Sequence, residues 1–227
     1  ELESLRIVHR GGEDGGRERL YSLDGVAREI IRDGDRVTCI LPDSKSVMVD
    51  HRQIRNPLSS VLPGAPERIS RHYRLQVIDV ERIAGREARP VQVQATDPYR
   101  YGYRFWVDTA TGLMLRADLV HGADTVEQVV FTKVDFPESI PDQWLEPKLS
   151  GRDFTWYRAD HEDNLPVAFE PRWRLAFVPA GFELRLSERR NMPTSGETPV
   201  EHQMYSDGLA AVSVYVSSAD SEAMHFE

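Results

Sequence analysis

Apolar and polar side chains alternate along most of this chain, and the pattern is clearest between Tyr101 and Val120. A period of two residues predicts β-strands that bury one face and leave the other partly in water. Residues 108–112 interrupt the pattern, and Gly112 can adopt the positive φ that hairpin turns often need. The stretch therefore predicts a β-hairpin with one apolar face. Its apolar positions are Tyr103, Phe105 and Val107 before the turn, and Leu113, Leu115 and Leu119 after it.

Similar alternating runs follow one another through the first 135 residues, separated by turn-forming Gly, Pro and Asp residues. Short links between consecutive strands favour an antiparallel meander. The interval Gln53–His72 breaks the rhythm with three prolines, and we expect a loop or short helices there. The predicted strands are Ser4–His9, Arg19–Leu23, Ala27–Arg32, Arg36–Ile40, Ser46–Asp50, Tyr73–Ile83, Pro90–Ala95, Tyr103–Asp108, Leu113–Val120 and Thr125–Asp135.

The fold class that follows is mainly β, within the α+β class, because the chain offers little helix. A sheet this large must cover its apolar face. It either closes over an ordinary packed core or curls into a half-open antiparallel barrel whose groove is filled by a helix or a ligand. The pattern alone favours the packed core.

The composition changes near residue 137, where three prolines fall within eleven residues. We predict a large β domain at residues 1–136, a linker at 137–149 and a small α/β or β-rich domain at 150–227. Trp144 and Leu145 of the linker are candidates to dock on a surface. In the small domain the predicted strands are Trp173–Val178, Phe182–Glu188, Val200–Tyr205 and Leu209–Val216, with a loop at Asn191–Pro199.

Composition and charge exclude several classes of function. The chain has 227 residues and a formal net charge of −9, and this acidity argues against a nucleic-acid partner. No apolar run is long enough to span a membrane. The single cysteine, Cys39, lies in an apolar strand and is expected to be a small buried residue. Because residues 1–8 already look like a strand, we expect that a natural leader has been removed.

The catalytic motifs that can be recognised in sequence are missing, so no enzyme and no cofactor is predicted. The seven histidines have no helical metal-pair spacing, and neither HExxH nor a paired CxxC occurs. There is no Gly-x-Ser-x-Gly nucleophile motif. Two clusters are candidates for binding: the aromatic and arginine run of residues 97–106, and the basic run of residues 185–190.

Four stretches, taken together and in order, resemble the RseB/MucB family of periplasmic regulators that bind an anti-sigma factor. The first two are Ser4–Arg10 and Arg17–Gly25 with Glu29–Arg32. The third runs from Arg100–Tyr103 through Thr111–Leu115. The fourth joins Pro179–Phe182 to Val200–Val216.

The resemblance implies a two-domain periplasmic protein whose large domain is a half-open barrel like that of the lipoprotein carrier LolA. It implies binding to the periplasmic domain of a membrane-spanning anti-sigma factor, which is thereby shielded from proteolysis. Lipopolysaccharide or lipoprotein acyl chains would compete with this partner. A homodimer is compatible with the family, and no catalytic residue is carried over. With this resemblance the open groove is favoured over the packed core. The alternative function is a periplasmic lipid or lipoprotein carrier that uses the same barrel.

Two candidate sites follow from these considerations. A peptide held in a cleft between the two domains would use aromatic anchors with an arginine rim. The anchors are Trp173, Phe182 and Tyr205, and the rim is Arg185, Arg189 and Arg190. A lipid groove would use the apolar face of the hairpin and the next strand, namely Tyr103, Phe105, Val107, Leu113, Leu115, Leu119 and Val129.

Overall fold

The computed structural model describes residues 2–12, 15–51, 70–158, 172–190 and 200–217, and these form two compact units. Three β-sheets make up almost all of the regular structure. The prediction of a mainly β fold is confirmed. Among the described strands the two larger sheets stay open at their edges, as a half-open barrel requires.

The first unit combines residues 1–55 with residues 136–165. Its sheet has the strand order β1-β2-β3-β4-β5-β12, and every neighbouring pair from β1 to β5 is antiparallel. The last strand, β12, pairs in parallel with β5, and the sequence pattern did not predict it. The bounds are β1 Leu5–Arg10, β2 Arg17–Ser22, β3 Glu29–Asp33, β4 Arg36–Leu41, β5 Ser46–His51 and β12 Thr155–Arg158.

The segment that follows residue 136 lies on the apolar face of this first sheet. Leu145 is fully buried, and Leu149 and Phe154 pack against the core of Ile31, Ile40, Val47 and Val49. The prediction that Leu145 docks is confirmed, whereas Trp144 stays 43% exposed. Glu29 on β3 fixes the segment, because its carboxylate accepts hydrogen bonds from the backbone N–H groups of Lys148 and Leu149 and pairs with Arg19.

The second unit combines residues 56–135 with residues 166–227. Its larger sheet has the order β11-β10-β9-β8-β6, and β7 also pairs with β8. A single long strand was predicted over Tyr73–Ile83, but β6 and β7 are separate. Their partner β8 carries Pro90 at the break, and proline has no N–H to donate to the ladder. The bounds are β6 Tyr73–Val77, β7 Glu81–Ile83, β8 Arg86–Ala95, β9 Gly102–Asp108, β10 Met114–His121 and β11 Asp124–Val130.

A β-bulge on β10 changes which residues share a face. The register with β9 shifts between Met114 and Arg116, so that Met114 faces Val107 and Arg116 faces Trp106. Leu115 therefore packs with Ala88 and Trp106, on the side opposite Phe105. The expectation that Leu113 and Leu115 share the face of Tyr103 and Phe105 is wrong, because the extra residue of a bulge reverses the side on which its neighbours point.

The third sheet is small and antiparallel, in the order β13-β14-β15. Its hairpin around Asp207 and Gly208 was predicted and is confirmed, with Gly208 at φ 105. Residues 173–178 were predicted as a strand, but they form none. The bounds are β13 Glu183–Arg190, β14 Val200–Ser206 and β15 Ala211–Val216, and a short 3-10 turn, Asp142–Trp144, lies in the first unit.

Some predictions concern residues that the structure does not describe. Most of the loop or helices predicted at Gln53–His72, namely residues 53–69, lies outside the described residues, and residues 70–72 form a turn. The loop predicted at Asn191–Pro199 also lies outside the described residues. The division into domains at 137–149 stays a prediction. No helix within the described ranges is long and apolar enough to cross a membrane.

Candidate functional site

Arg100 is the centre of a buried polar junction in the second unit. Its side chain and that of Asp207, in the β14–β15 turn, are almost completely buried, and Nη1 donates to Asp207 Oδ2 at 2.6 Å. Nη2 donates to the carbonyl oxygen of Ala180 at 2.6 Å, and Nε donates to Asp97 Oδ1 at 3.1 Å. One guanidinium thus joins the start of β9 to two places in the chain beyond residue 179.

Aromatic rings enclose this ion pair. The Arg100 guanidinium carbon lies 5.0 Å from the ring centre of Phe182 and 5.6 Å from that of Tyr73. The Tyr73 hydroxyl donates to Asp207 Oδ2 at 2.9 Å, and burial together with the Asp207 carboxylate raises the pKa of Tyr73. Tyr73 therefore stays neutral and serves as a hydrogen-bond donor. The junction holds charges that are fully compensated, which is the condition for burying them.

The local sequence explains how Asp207 reaches this position. Its Oδ1 accepts hydrogen bonds from the backbone N–H groups of Leu209 and Ala210, which fixes the turn. Its Oδ2 is then left for Arg100 and Tyr73. The same turn is held from the second sheet, because the Tyr103 hydroxyl donates to the carbonyl oxygen of Leu209 at 3.2 Å. The Asp-Gly pair was predicted as a turn, but its role in the junction was not.

The predicted aromatic anchors of the peptide site have different environments. Trp173 is 61% exposed, and its carbonyl oxygen accepts a hydrogen bond from the side-chain amide of Gln203. Phe182 is buried beneath Arg100 and belongs to the junction. Tyr205 is half-buried, and its hydroxyl donates to Gln203 Oε1. Of the three, Trp173 alone presents most of its side chain to a partner.

The predicted arginine rim is largely paired within the third sheet. Arg185 contacts Glu183 at 3.0 Å, and Arg189 contacts Glu201 at 3.0 Å. The side chain of Arg190 lies outside the described part of the chain. Both described arginines keep more than a third of the side chain exposed, so they can still contact an anionic partner.

A second exposed aromatic cluster was only partly anticipated. Tyr99 is 57% exposed and Phe177 is 61% exposed, and their ring centres are 5.3 Å apart. Tyr99 belongs to the aromatic run that the sequence singled out, but nothing in the sequence pairs it with Phe177. Aromatic residues of this kind are enriched in binding hot spots. Tyr99 and Phe177 therefore add to the exposed aromatic surface to which Trp173 also contributes.

The predicted lipid-groove residues do not line one continuous open face. Tyr103 and Phe105 stack at 5.5 Å, and Leu209 from the third-sheet turn packs on the same cluster. Leu115 is fully buried in the opposite cluster, and Leu113 packs beside it. Val107 and Leu119 are half-buried, and Val129 is 59% exposed on the edge strand β11.

The first unit contains an apolar cavity that sequence reasoning missed. Its volume is about 440 Å³, and it lies between strands β3 and β4 and the segment that crosses them. Ile31, Ile40, Leu149 and Trp156 supply apolar walls, and the charged lining residues are Arg36, Arg152 and Asp33, which leaves one net positive charge. Such a cavity suits an apolar chain with an anionic end. The sequence pattern did not indicate this cavity, because its lining residues come from two stretches of the chain that are more than 100 positions apart.

The side chains around His202 resemble a catalytic Ser-His-Glu relay, but they connect neighbouring strands of the third sheet. Nδ1 of His202 lies 3.1 Å from Glu188 Oε1, and Nε2 lies 3.1 Å from Ser213 Oγ. The ring also stacks on Tyr215 at 4.3 Å. Because these four residues come from β13, β14 and β15, we assign the contacts to holding the sheet together. No group of three or more metal-ligating side chains occurs among the described residues.

Comparisons with known proteins agree along most of the chain. The family model of the MucB/RseB N-terminal domain matches residues 1–149, and that of the MucB/RseB C-terminal domain matches residues 168–226. The sigma-E factor regulatory protein RseB of Escherichia coli K12 is 29% identical over 223 residues, covering 96% of this chain and 67% of that protein. The sigma factor AlgU regulatory protein MucB of Pseudomonas aeruginosa PAO1 is 30% identical over 212 residues, covering 92% and 63%.

Solved structures give the same result. A crystal structure of MucB in complex with MucA(peri) matches with a TM-score of 0.70 and 26% identity, covering 98% of this chain and 71% of that one. A complex of Pseudomonas aeruginosa MucA and MucB matches with a TM-score of 0.67 and 28% identity, covering 94% and 69%. The chain thus spans about two thirds of the length of these relatives.

Proposed function

The chain belongs to the MucB/RseB family, and we propose that it is a non-enzymatic periplasmic regulator of an envelope-stress sigma factor. It acts by binding the periplasmic segment of a membrane-spanning anti-sigma factor and shielding that segment from proteolysis. Release of the anti-sigma factor to the protease would then activate the sigma factor, so the chain is a negative regulator.

The observation that carries this proposal is the match of both family models, in order, along the chain. The relatives of this chain are regulators of sigma-E and AlgU. A solved structure that is similar to this chain contains MucB in complex with MucA(peri). Since a relative of this fold holds such a peptide, the same class of partner is the best candidate here.

The direct test is to titrate the purified chain with the periplasmic fragment of the anti-sigma factor. We expect a Kd at or below about 1 µM, equivalent to roughly −8 kcal/mol. The bound fragment should also be cut more slowly by the site-1 protease. A fragment that shows no binding at about 100 µM, or one that is cut equally fast when bound, rules the proposal out.

We place the peptide on the third sheet and the exposed aromatic residues near it. The Trp173 ring is exposed there, and Arg185 and Arg189 supply positive charge. Phe182 is buried and Tyr205 is half-buried, so these two residues support the binding surface from below. Burial of one exposed aromatic anchor is worth about 2–4 kcal/mol in a protein interface.

Lipid sensing is the finer part of the proposal, and the cavity in the first unit supports it. Each buried CH₂ contributes about 0.8 kcal/mol, so eight methylenes of an acyl chain offer roughly 6 kcal/mol before the cost of association. Arg36 and Arg152 at the cavity could contact a phosphate or carboxylate. Lipopolysaccharide or lipoprotein acyl chains would release the peptide only if they bind the peptide-free state more tightly.

Two substitutions decide which sheet holds the lipid. Trp156→Asp places a negative charge in the cavity, whereas Tyr157→Asp, on the same strand, does not line it and serves as the control. Val129→Asp tests the groove predicted from the hairpin. We expect that only the Trp156→Asp variant binds a detergent-free lipid A analogue more weakly than wild type. If only Val129→Asp weakens lipid binding, the hairpin groove is the site, and if neither does, lipid sensing by these residues is rejected.

The second candidate function is a lipid or lipoprotein carrier, which the same apolar cavity favours. Affinity capture from periplasm followed by mass spectrometry separates the two functions. Recovery of a single-span membrane protein supports the regulator, and recovery of lipoproteins alone supports the carrier. Homodimerisation stays a prediction, which sedimentation of the purified chain checks.

A further inference from the structure

Strand β15 is an edge strand of the third sheet, and none of its side chains carries a charge. Its sequence, Ala-Val-Ser-Val-Tyr-Val, contains three β-branched valines and neither proline nor glycine. It is the last strand in the order β13-β14-β15, so one of its long sides has no neighbouring strand within the described part of the chain. An exposed edge of this composition is a site at which another strand can pair.

The other edge strands of the described sheets carry features that oppose pairing. β11 contains Asp124 and Glu127, and its register with β10 shifts within the strand. β13 contains five charged residues and a register shift as well. Charged residues also occur on β1, β6, β7 and β12. Charges and bulges keep edge strands from associating, and β15 is the one described edge strand that has neither.

The ladder with β14 shows which backbone groups of β15 point outward. The backbone N–H of Asp207 donates to the carbonyl oxygen of Ala210 at 3.2 Å, and the register continues without a shift to the end of β15. In an antiparallel pair, residues that exchange hydrogen bonds alternate with residues that do not. Val212, Val214 and Val216 therefore bond to β14. The residues whose N–H and C=O groups point away from β14 are Ala211, Ser213 and Tyr215.

The side chains of β15 are accessible along the same edge. Val212 is 50% exposed and Tyr215 is 46% exposed, and Ser213 is exposed as well. The three valines share one face of the strand, because successive side chains of a strand point to opposite faces. A strand placed beside β15 would therefore cover apolar surface on the valine face.

The composition of β15 favours a second copy of itself as this neighbour. A charged strand would bring its charges next to valine with no opposite charge to meet them, whereas a second β15 brings none. With a two-fold axis at Val214, antiparallel pairing places Val212 opposite the partner's Val216. It also places Ser213 opposite the partner's Tyr215, and these are residues whose backbone groups point outward, so they can exchange hydrogen bonds.

We propose that the chain forms a homodimer by antiparallel pairing of β15 with β15 of a second copy. The two third sheets then form one continuous sheet, and each copy contributes its three valines to a row on one face. A two-fold axis gives both copies the same contacts, so the assembly closes at two copies. This inference assigns a surface to the homodimerisation predicted above, and it does not depend on the proposed function.

Sedimentation equilibrium of the purified chain, from about 5 to about 500 µM, tests the association. One strand pair buries less than the roughly 1,200 Å² of a stable interface, so we expect a weak dimer with a Kd of about 10–100 µM. Each chain carries a net charge of −9 and the pairing strands carry none, so added salt should strengthen the dimer. A chain that stays monomeric at about 500 µM overturns the proposal.

Charge substitutions at the two-fold axis test the register. Val214→Lys places two ammonium groups opposite each other and Val214→Glu places two carboxylates, so each variant alone should dimerise at least about tenfold more weakly than wild type. An equal mixture of the two variants places opposite charges at the axis, and it should associate about tenfold more tightly than either variant alone. Val126→Lys is the matched control, because Val126 is 56% exposed on the edge strand β11. An unchanged thermal midpoint in each variant shows that it is folded.

Amide hydrogen exchange measures the pairing in the wild-type chain without any substitution. The amides of Ser213 and Tyr215 should exchange about fivefold more slowly at about 500 µM than at about 5 µM. The amides of Val212 and Val214 already bond to β14 and should change less.

The remaining outcomes separate this surface from others. A dimer without protection of Ser213 and Tyr215, or one that the Val214 variants leave unchanged, has its interface elsewhere and overturns the proposal. Variants that are monomeric alone and stay monomeric when mixed contradict the two-fold axis at Val214. If the chain is monomeric and the anti-sigma fragment protects these two amides instead, the edge binds the peptide and the homodimer is rejected.

Discussion

The buried guanidinium of Arg100 connects the start of β9 to Ala180 and to the β14–β15 turn of the second unit. Desolvating a guanidinium costs several kcal/mol, and three oxygen acceptors together with two aromatic rings offset that cost here. The energy of the pair therefore depends on every partner being present. Removing one partner leaves the other charge buried and uncompensated.

A double-mutant cycle measures this dependence. Arg100→Met should lower the free energy of unfolding by about 3–5 kcal/mol, because Asp207 stays buried without its cation. The double variant Arg100→Met/Asp207→Asn should cost less than the sum of the single variants. Urea denaturation gives the values, with Arg89→Met as the surface control. Additive costs would mean that the two side chains do not stabilise each other.

Asp108 provides a pH-dependent contribution at the β9–β10 turn. Hydrogen bonds from Arg86 and then from Thr111 hold the pKa of Asp108 below its ordinary value. A carboxyl group with a lowered folded-state pKa stabilises the fold above its unfolded pKa of about 4, and this contribution is lost as the pH falls through the folded-state pKa.

The stability difference between wild type and Asp108→Asn should therefore be largest at neutral pH. It should shrink as the pH falls below about 4, since the wild-type carboxyl then becomes protonated. Urea denaturation at a series of pH values measures this difference. A gap that stays constant from neutral pH to about pH 2 would show that Asp108 is not ion-paired in solution.

At the scale of elements, a single inserted residue on β10 decides which hydrophobic cluster Leu115 joins. Alternation counted through the bulge assigns Leu115 to the side of Phe105, whereas the shifted register places it with Trp106 and Ala88. The bulge also explains why the hairpin does not present one uniform apolar face. A strand's pattern predicts its side only as far as its register is unbroken.

Truncation of two residues predicted for the same groove tests this arrangement. Leu115→Ala should destabilise the protein by about 2–5 kcal/mol, because Leu115 is only 1% exposed in a packed cluster. Val129→Ala, on the edge strand at 59% exposure, should change stability by no more than about 0.5 kcal/mol. Thermal or urea unfolding compares them. Equal costs would mean that both residues share one environment.

For the molecule as a binding protein, the decisive distinction is between residues that build the fold and residues that meet the partner. Phe182 and Trp173 were predicted as equivalent anchors, yet one is 8% exposed and the other is 61% exposed. The buried ring supports Arg100, and the exposed ring is available for contact. Substitution of Phe182 should therefore lower stability, whereas substitution of Trp173 should weaken binding of the partner.

Phe182→Ala should lower the free energy of unfolding by about 3–5 kcal/mol. Trp173→Ala should leave the free energy of unfolding within about 0.5 kcal/mol of wild type. It should weaken binding of the anti-sigma fragment by roughly 2 kcal/mol, about 30-fold in Kd. Calorimetric titration and urea unfolding provide both values. A folded Trp173→Ala protein that binds the fragment unchanged would remove Trp173 from the site.

Much of the fold could be predicted from sequence, because local alternation and turn residues act over short distances. The strands from β1 to β5 and the β14–β15 hairpin were predicted to within about two residues. The site was predicted less well. The Arg100–Asp207 pair joins residues 107 positions apart, and no local pattern in the sequence connects them. The same holds for Glu29 and Leu149, which meet across 120 positions.

The sequence by itself determined the family, the mainly β architecture and the positions of most turns, since these depend on residue type and spacing. Only the tertiary structure decided which apolar residues are core and which are surface. The bulge on β10 redirected Leu115, the Arg100 junction buried Phe182, and residues 172–177 form no strand in the part of the chain that the structure describes. The physical reason is that burial depends on what packs against a residue, and those neighbours come from distant parts of the chain.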